Sequence, residues 1–83
     1  MAERTVEIGE VRKNGSSRVK VTVAEYKGKP YADIRTYYLD DRDEWAPTKK
    51  GVAFHSVEGL DTAIGLLQTA REKLAAVLVK VAA

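Results

Sequence analysis

The sequence predicts an α+β fold in which a four-stranded, curved antiparallel β-sheet is followed by one C-terminal α-helix (ββββα). Two observations support this prediction. Apolar side chains alternate with polar ones in the first part of the chain, whereas from residue 57 they recur at spacings of three and four. Strands followed by a helix are typical of an α+β unit, and we expect the helix to cover one face of the sheet.

Length and composition limit the class of protein. Eighty-three residues are enough for a single domain, which we place at residues 1–83. So short a chain buries a modest share of its surface, and the sequence has no cysteine for disulfides or thiolate metal sites. We therefore expect a homo-oligomer to supply the additional buried area.

Glycine and asparagine residues indicate a bend and a turn in the first hairpin. Alternating apolar side chains predict a first strand at residues 5–11, with a bulge or bend at Gly9. A turn is predicted at Lys13-Asn14-Gly15-Ser16-Ser17, because Asn-Gly tolerates positive φ at both central positions. The second strand, residues 18–26, is the clearest one, because it turns a row of valines to one side and polar residues to the other.

Three further segments complete the predicted sheet. A turn at residues 27–30 precedes a third strand at 31–38, and strand pairing should resume only after Pro30, which has no N–H to donate. A polar loop at 39–44 leads to a fourth strand at about 45–54. Pro47 should confine the early part of that strand to an edge or a bend.

Ser56 is a plausible N-cap for the helix, and Glu58 in its first turn complements the helix dipole. The apolar face of this helix is too broad to serve the protein's own sheet alone, so we expect part of it to form a homodimer interface. The candidate interface residues are Leu60, Ile64, Leu67, Leu74 and Leu78. A monomer whose sheet curls around the helix is the alternative.

No constellation of residues predicts catalysis, a metal site or a cofactor, and we expect the protein not to be an enzyme. His55 lacks an obvious serine or aspartate partner and is better explained as a loop or capping residue. The acidic segment at 40–44 lacks the glycine and terminal glutamate of a calcium loop, so a solvated turn is the better interpretation. No phosphate-binding glycine-rich loop precedes the helix.

Targeting signals are also missing from the sequence. No apolar run approaches the roughly 20 residues that a membrane span needs. The N-terminus lacks the apolar segment of a signal peptide. We expect an intracellular protein with no membrane partner.

Lysines alternate with aromatic residues through residues 26–54, although the net charge of the chain is only +2. Ammonium groups meet phosphates and flat rings stack on bases, so this pattern fits binding to nucleic-acid strands. A solvated hairpin with ordinary surface lysines is the alternative. The lysines beside glycine or proline, in expected turns, are Lys27, Lys29, Lys49 and Lys50.

An ordered set of short motifs resembles the transcriptional coactivator positive cofactor 4 family over roughly residues 6–74. The motifs are Tyr26-Lys27-Gly28-Lys29, then Asp33-Ile34-Arg35 with Tyr37 and Tyr38, an acidic loop, and Trp45-Ala46-Pro47-Thr48-Lys49-Lys50-Gly51. The resemblance implies the ββββα fold, similar to that of the Whirly proteins, and a homodimer joined partly through the helices. It also implies binding of single-stranded or unwound DNA across the strands, without marked sequence preference.

Family DNA contacts carry over where the motifs match. The resemblance places Tyr26 at a base-stacking position and Tyr38 where animal members have a stacking tryptophan. The basic positions are Lys27, Lys29, Arg35, Lys49 and Lys50. Arg18, Lys20 and Trp45 complete the candidate set, although an ordinary half-solvated strand explains Arg18 and Lys20 individually better.

Some features depart from the family pattern. Ala46 stands where a basic residue is common, and residues 55–60 lack the usual Pro-Glu-Gln-Trp at the helix start. Arg35 and Tyr38 also have opposite strand parity, so they serve one ligand only if the sheet bends or the strand ends between them.

The leading hypothesis is a dimeric, non-specific single-stranded-DNA-binding protein. It would act as a transcriptional coactivator or as a replication and repair accessory factor, with transcription or replication proteins as further partners. We expect it to be DNA-associated, in the cytoplasm or nucleoid of a bacterium or in the nucleus of a eukaryote. The alternatives are a protein-interaction module that uses the apolar helix face, and an RNA-binding protein with the same surface.

Overall fold

A computed structural model describes the backbone of residues 4–82 and the side chains of residues 4–80. Strands β1 (Arg4–Asn14), β2 (Ser17–Tyr26), β3 (Lys29–Leu39) and β4 (Trp45–Phe54) precede helix α1 (Val57–Ala82). The strands pair in chain order as one antiparallel sheet, which confirms the predicted ββββα order. Residues 1–3 and 83, which the single-domain prediction includes, lie outside the described residues.

The first hairpin is partly as predicted. The register of β1 against β2 shifts between Glu7 and Gly9, which confirms the bulge at this point. The turn predicted at residues 13–17 is confirmed, although neither Asn14 nor Gly15 has the positive φ that this pair tolerates. Instead the Asn14 side chain closes the turn: its Oδ1 accepts hydrogen bonds from the Ser16 N–H at 2.9 Å and the Ser16 hydroxyl at 3.2 Å.

A two-residue turn joins β2 to β3. Lys27 and Gly28 have φ values of 51° and 75°, as in the type I′ turns whose twist matches that of the flanking strands. Tyr26 and Lys29 are opposite each other directly beside this turn. The turn therefore fixes which residues of the two central strands face one another.

Strand pairing begins before Pro30 rather than after it, which corrects the sequence-based expectation. Pro30 lies opposite Glu25 within the ladder. In an antiparallel pair, the residue after the closing pair directs its nitrogen away from its partner strand, here toward β4. Because β4 ends at Phe54, opposite Ala32, the missing N–H of Pro30 has no strand to pair with.

The register between β2 and β3 assigns their side chains to two faces, because directly opposite residues share a face. The polar face consists of Arg18, Lys20, Thr22, Ala24 and Tyr26 of β2 with Tyr37, Arg35, Asp33, Tyr31 and Lys29 opposite them. The apolar face consists of Val19, Val21 and Val23 of β2, Thr36, Ile34 and Ala32 of β3, and the flanking Val6, Val11, Val52 and Phe54.

Strand β4 is an edge strand with a bulge near its middle. Pro47 is opposite Tyr37 and Gly51 is opposite Arg35, so residues 48–50 of β4 correspond to the single residue Thr36 of β3. The expected edge position of Pro47 is confirmed. The expectation that the lysines at 49 and 50 lie in a turn is wrong, because they lie in this bulge.

Helix α1 begins as predicted. The Ser56 hydroxyl accepts a hydrogen bond from the Gly59 N–H at 3.0 Å, and the Ser56 carbonyl accepts one from the Leu60 N–H at 3.2 Å. Ser56 is therefore the N-cap, and Glu58 lies in the first turn. Within residues 4–82 no helix has the length and apolarity needed to cross a membrane.

The helix does not cover the sheet within one chain, which corrects the expected packing. Its first turns border an apolar groove against Val23, Ala32 and Phe54, and its side chains from 64 to 80 are all exposed. On the apolar face, Val6 and Val11 remain 55% and 63% exposed.

Replacing Ser56 by alanine should remove the N-cap acceptor and lower the free energy of unfolding by about 1 kcal/mol. Urea unfolding followed by far-UV circular dichroism measures this change. Ser56→Asp is the matched control, because it keeps an acceptor at the same place and should unfold near the wild-type midpoint. Equal destabilisation by both substitutions would show that the cap does not matter.

Candidate nucleic-acid interface

Two cations of β2 lie over aromatic rings on the polar face. The Arg18 guanidinium carbon is 4.1 Å from the centroid of the Trp45 ring, and the Lys20 ammonium is 4.7 Å from that of Tyr37. Arg18 is opposite Tyr37 in the register, so the two cation–π pairs are neighbours. The rings and charges of three strands therefore form one continuous surface.

The same two cations are paired with acids of β1. Arg18 Nη1 lies 2.7 Å from Glu10 Oε2, and Lys20 Nζ lies 3.1 Å from Glu7 Oε1. Such partly exposed ion pairs contribute about 0–1 kcal/mol each, so a phosphate could compete for the cations. Their main effect is to hold the cationic side chains against the rings.

Arg35 is fixed more firmly than the other strand cations. Its Nε and Nη2 donate to the two carboxylate oxygens of Asp33, each at 3.0 Å, and its Nη1 donates to the Thr48 carbonyl at 3.0 Å. The hydrogen bonds to Asp33 raise the pKa of Arg35 above its ordinary value, against the opposing effect of burial. The guanidinium therefore stays charged at every physiological pH.

Gly51 provides the space in which Arg35 lies across β4. A Cβ at residue 51 would be 2.8 Å from the Arg35 guanidinium carbon and 2.9 Å from the Ile34 carbonyl oxygen. The second contact is with backbone, which cannot move aside as a flexible side chain can. A glycine is thus required here by close approach, with no positive φ involved.

The four exposed lysines named from the sequence are at two places. Lys27 and Lys29 belong to the β2–β3 turn, where the Lys27 ammonium is 5.3 Å from the centroid of the Tyr26 ring. Lys49 and Lys50 extend from the bulge of β4. All four are exposed, so their charges are accessible to a polyanion.

An open cleft of about 400 Å³ lies on the polar face beside the β2–β3 turn. Its lining residues are Tyr26, Lys29, Tyr31, Asp33, Arg35, Ala53 and His55. The Tyr31 and His55 rings lie 5.4 Å apart, between centroids, and are tilted by 33°. His55 follows β4 and precedes the N-cap, which confirms its predicted position in a loop.

Most of the strand residues predicted to contact DNA lie on one face of the sheet, but Tyr38 lies on the other. Arg18, Lys20, Tyr26, Lys29, Arg35 and Trp45 are on the polar face, whereas Tyr38 is opposite Ser17 on the other side of the sheet. Strand β3 continues to Leu39, so it does not end between Arg35 and Tyr38. Tyr38 is 47% exposed, and its role in binding stays a prediction.

The sequence-based set omitted two rings of the polar face, Tyr31 and Tyr37. A signal was present, because both have the strand parity of Arg35. The ion-pair partners Glu7 and Glu10 had no comparable signal. Their positions opposite Thr22 and Lys20 depend on the bulge in β1, which shifts the register between them.

The acidic loop is organised by its own hydrogen bonds. Asp40 Oδ1 accepts from the backbone N–H of Arg42 at 2.8 Å and from that of Glu44 at 2.9 Å, and Asp43 has a positive φ of 60°. In the part of the chain that the structure describes, no group of His, Asp or Glu side chains is placed to hold a metal ion.

The fold and this face define a small α+β protein that presents cations and rings on one side of its sheet. The model of the family described as Transcriptional Coactivator p15 (PC4) matches residues 13–58, more than half of the chain and the segment that contains β2, β3 and β4. The chain belongs to the PC4 family. No curated protein sequence matches it.

Solved structures of PC4 homologues share the fold. One from Burkholderia pseudomallei, in an orthorhombic crystal form, is 25% identical with a TM-score of 0.70, covering 87% of this chain and 97% of that chain. The bacteriophage T5 homologue of the eukaryotic transcription coactivator PC4, implicated in recombination-dependent DNA replication, is 30% identical with a TM-score of 0.64. That alignment covers 93% of this chain and 86% of the phage chain.

Gly51→Ala should destabilise the protein by about 1–3 kcal/mol, because the new methyl group overlaps the Ile34 carbonyl and the Arg35 side chain. Thermal unfolding measures the loss. Gly15→Ala is the matched control, since no atom lies within 4 Å of the added Cβ there. A wild-type melting temperature in Gly51→Ala would refute the close approach.

Proposed function

We propose that this protein binds single-stranded or unwound DNA, with little sequence preference, across the polar face of its sheet. The observation that supports the proposal best is the segregation of charge and rings: exposed lysines flank a surface on which arginine and lysine side chains lie against tryptophan and tyrosine rings. Family membership and the DNA-related role of the phage homologue point the same way.

The four exposed lysines supply the attraction for phosphates. Each phosphate that a lysine neutralises releases a condensed counterion, so binding should weaken steeply as salt rises. The strand cations contribute less net attraction, because Glu7, Glu10 and Asp33 already pair with them. Their proposed role is to orient the rings and to share a phosphate when one approaches.

The rings explain the preference for unpaired strands. Tyr26 is 38% exposed on the polar face, and a base reaches Trp45 or Tyr37 by displacing the Arg18 or Lys20 side chain that lies over the ring. Stacking of one base is worth roughly 1–3 kcal/mol. Bases inside a duplex are already stacked and unavailable. The one helix of the described residues is apolar along much of its length, unlike a helix that reads the major groove.

A homodimer is part of the proposal. The apolar face of the sheet and the apolar side of α1 are both exposed in one chain; Leu67 and Leu74, for example, are 61% and 58% exposed. So much contiguous apolar surface marks an interface. A second copy brings the same two surfaces and can cover both through a two-fold arrangement, which leaves the polar faces open.

Two other functions remain as alternatives. The exposed helix favours a module that recruits a different protein, in which case the lysines serve solubility. An RNA strand also offers unpaired bases and phosphates, so a competition titration between DNA and RNA is needed to choose. The process served, in transcription or in replication and repair, and a DNA-associated location are proposed from the homologues.

Neutralising Lys27, Lys29, Lys49 and Lys50 together, each to glutamine, should weaken binding to oligo-dT. The slope of log affinity against log salt should become shallower by about 0.7 for each phosphate that the variant no longer neutralises. Fluorescence anisotropy of a labelled strand at several salt concentrations measures both effects. The control replaces the helix cations Lys73 and Lys80, on the other side of α1 from Leu67 and Leu74, by glutamine and should keep the wild-type slope. Unchanged affinity in the four-lysine variant would contradict the proposal.

Introducing Leu67→Glu together with Leu74→Glu should convert a dimer into a monomer, because two charges would be buried in the helix interface. Size-exclusion chromatography with light scattering gives the mass. Thr69→Glu together with Ala76→Glu is the matched control, since it adds the same charge on the other side of α1. A wild-type protein that is monomeric at every concentration would contradict the dimer and favour the protein-recruiting module.

A further inference from the structure

The cleft beside the β2–β3 turn shares Arg35 with the cluster of cations and rings but extends from it toward the turn. Tyr31 and Tyr37 are six residues apart on β3, a distance of about 20 Å along a strand. The first belongs to the cleft, and the second lies under Lys20 at the other end of the polar face. Tyr26, Lys29 and Arg35 belong to both the cleft and the candidate DNA-binding set, so a strand of DNA that crosses the polar face reaches the cleft near the turn.

The Tyr31 and His55 rings form the aromatic wall of this cleft. Their centroids are 5.4 Å apart, and both also border the apolar groove between Phe54 and Leu60 at the start of α1. The two rings therefore separate a polar cleft from an apolar groove. Both rings also present surface to the cleft, where a planar ligand can lie against them.

The polar groups of the cleft suit the edge of a base. Asp33 is only 9% exposed and accepts two hydrogen bonds from Arg35. Arg35 uses three of its five N–H groups on Asp33 and the Thr48 carbonyl, so two donors remain. The pair thus offers acceptor and donor groups side by side, and base edges present the complementary mixture.

Lys29 distinguishes a nucleotide from other planar ligands. Its exposed ammonium lines the same cleft as the Tyr31 and His55 rings. A phosphate alone would gain nothing from the rings. An uncharged aromatic molecule would leave Lys29 without a role.

We propose that this cleft holds one unpaired nucleobase, stacked on the Tyr31–His55 rings, with its polar edge toward Asp33 and Arg35 and its phosphate on Lys29. The proposal rests on the proposed function and deepens it, because it adds a base site walled by Tyr31 and His55 to the stacking rings already proposed. Tyr26 already belongs to the interface; the Tyr31–His55 wall is the new element.

The first test compares oligo-dT with an abasic strand of equal length and charge. The wild-type protein should prefer oligo-dT, and Tyr31→Val combined with His55→Gln should reduce that preference about tenfold. Affinity for the abasic strand should not change, because that strand has no base to stack. Far-UV circular dichroism confirms that the variant is folded.

The second test needs no variant. His55 is the single histidine of the sequence, so its imidazole proton signals in NMR assign themselves. Titration with oligo-dT should move them by a saturable ring-current shift, and the abasic strand should not.

Three results would overturn the base site alone. They are an unchanged preference for oligo-dT in the variant, an equal loss of affinity for both strands, and His55 signals that do not shift at saturating oligo-dT. Wild-type protein that binds neither strand would overturn the proposed function, and the base site with it. The two failures are therefore distinguishable.

Discussion

The register between the two central strands is the constraint on which the rest of the structure depends. The Lys27-Gly28 turn sets Tyr26 opposite Lys29, and every later pair of β2 and β3 follows from that closure. Side chains alternate strictly along a strand, so a slip of one residue would exchange the faces and put valines among the arginines. This turn therefore determines that the charged and the apolar side chains lie on opposite faces of the sheet.

The two faces of the sheet are stabilised in different ways. The polar face is stabilised within one chain, because carboxylates of β1 and β3 pair with its cations and its rings lie beneath them. The apolar face is not, since valines of the sheet and leucines of the helix remain in water. The proposed dimer would cover the apolar surfaces and leave both polar faces accessible, so association and binding would use opposite sides of the same sheet.

Features set by local sequence were predictable, and features set by pairing were not. Ser56 caps the helix and Pro47 lies in an edge strand, because hydrogen-bonding capacity alone restricts them. The prediction that strand pairing resumes only after Pro30 was wrong. A proline is tolerated in the ladder where no strand lies beside its nitrogen, and that depends on where β4 ends. The position of Lys50 in a bulge and the pairing of Glu10 with Arg18 depend on register shifts between distant residues, which alternation within one strand does not reveal.

Trp45 permits the most direct test of the claim that single strands lie on the polar face. It is the single tryptophan of the sequence, and the Arg18 guanidinium fixes it on that face. The account predicts that oligo-dT quenches Trp45 fluorescence saturably, at the same concentrations at which anisotropy reports binding, and that duplex DNA of equal length does not. Binding of oligo-dT without any change in Trp45 emission, or equal quenching by the duplex, would contradict it.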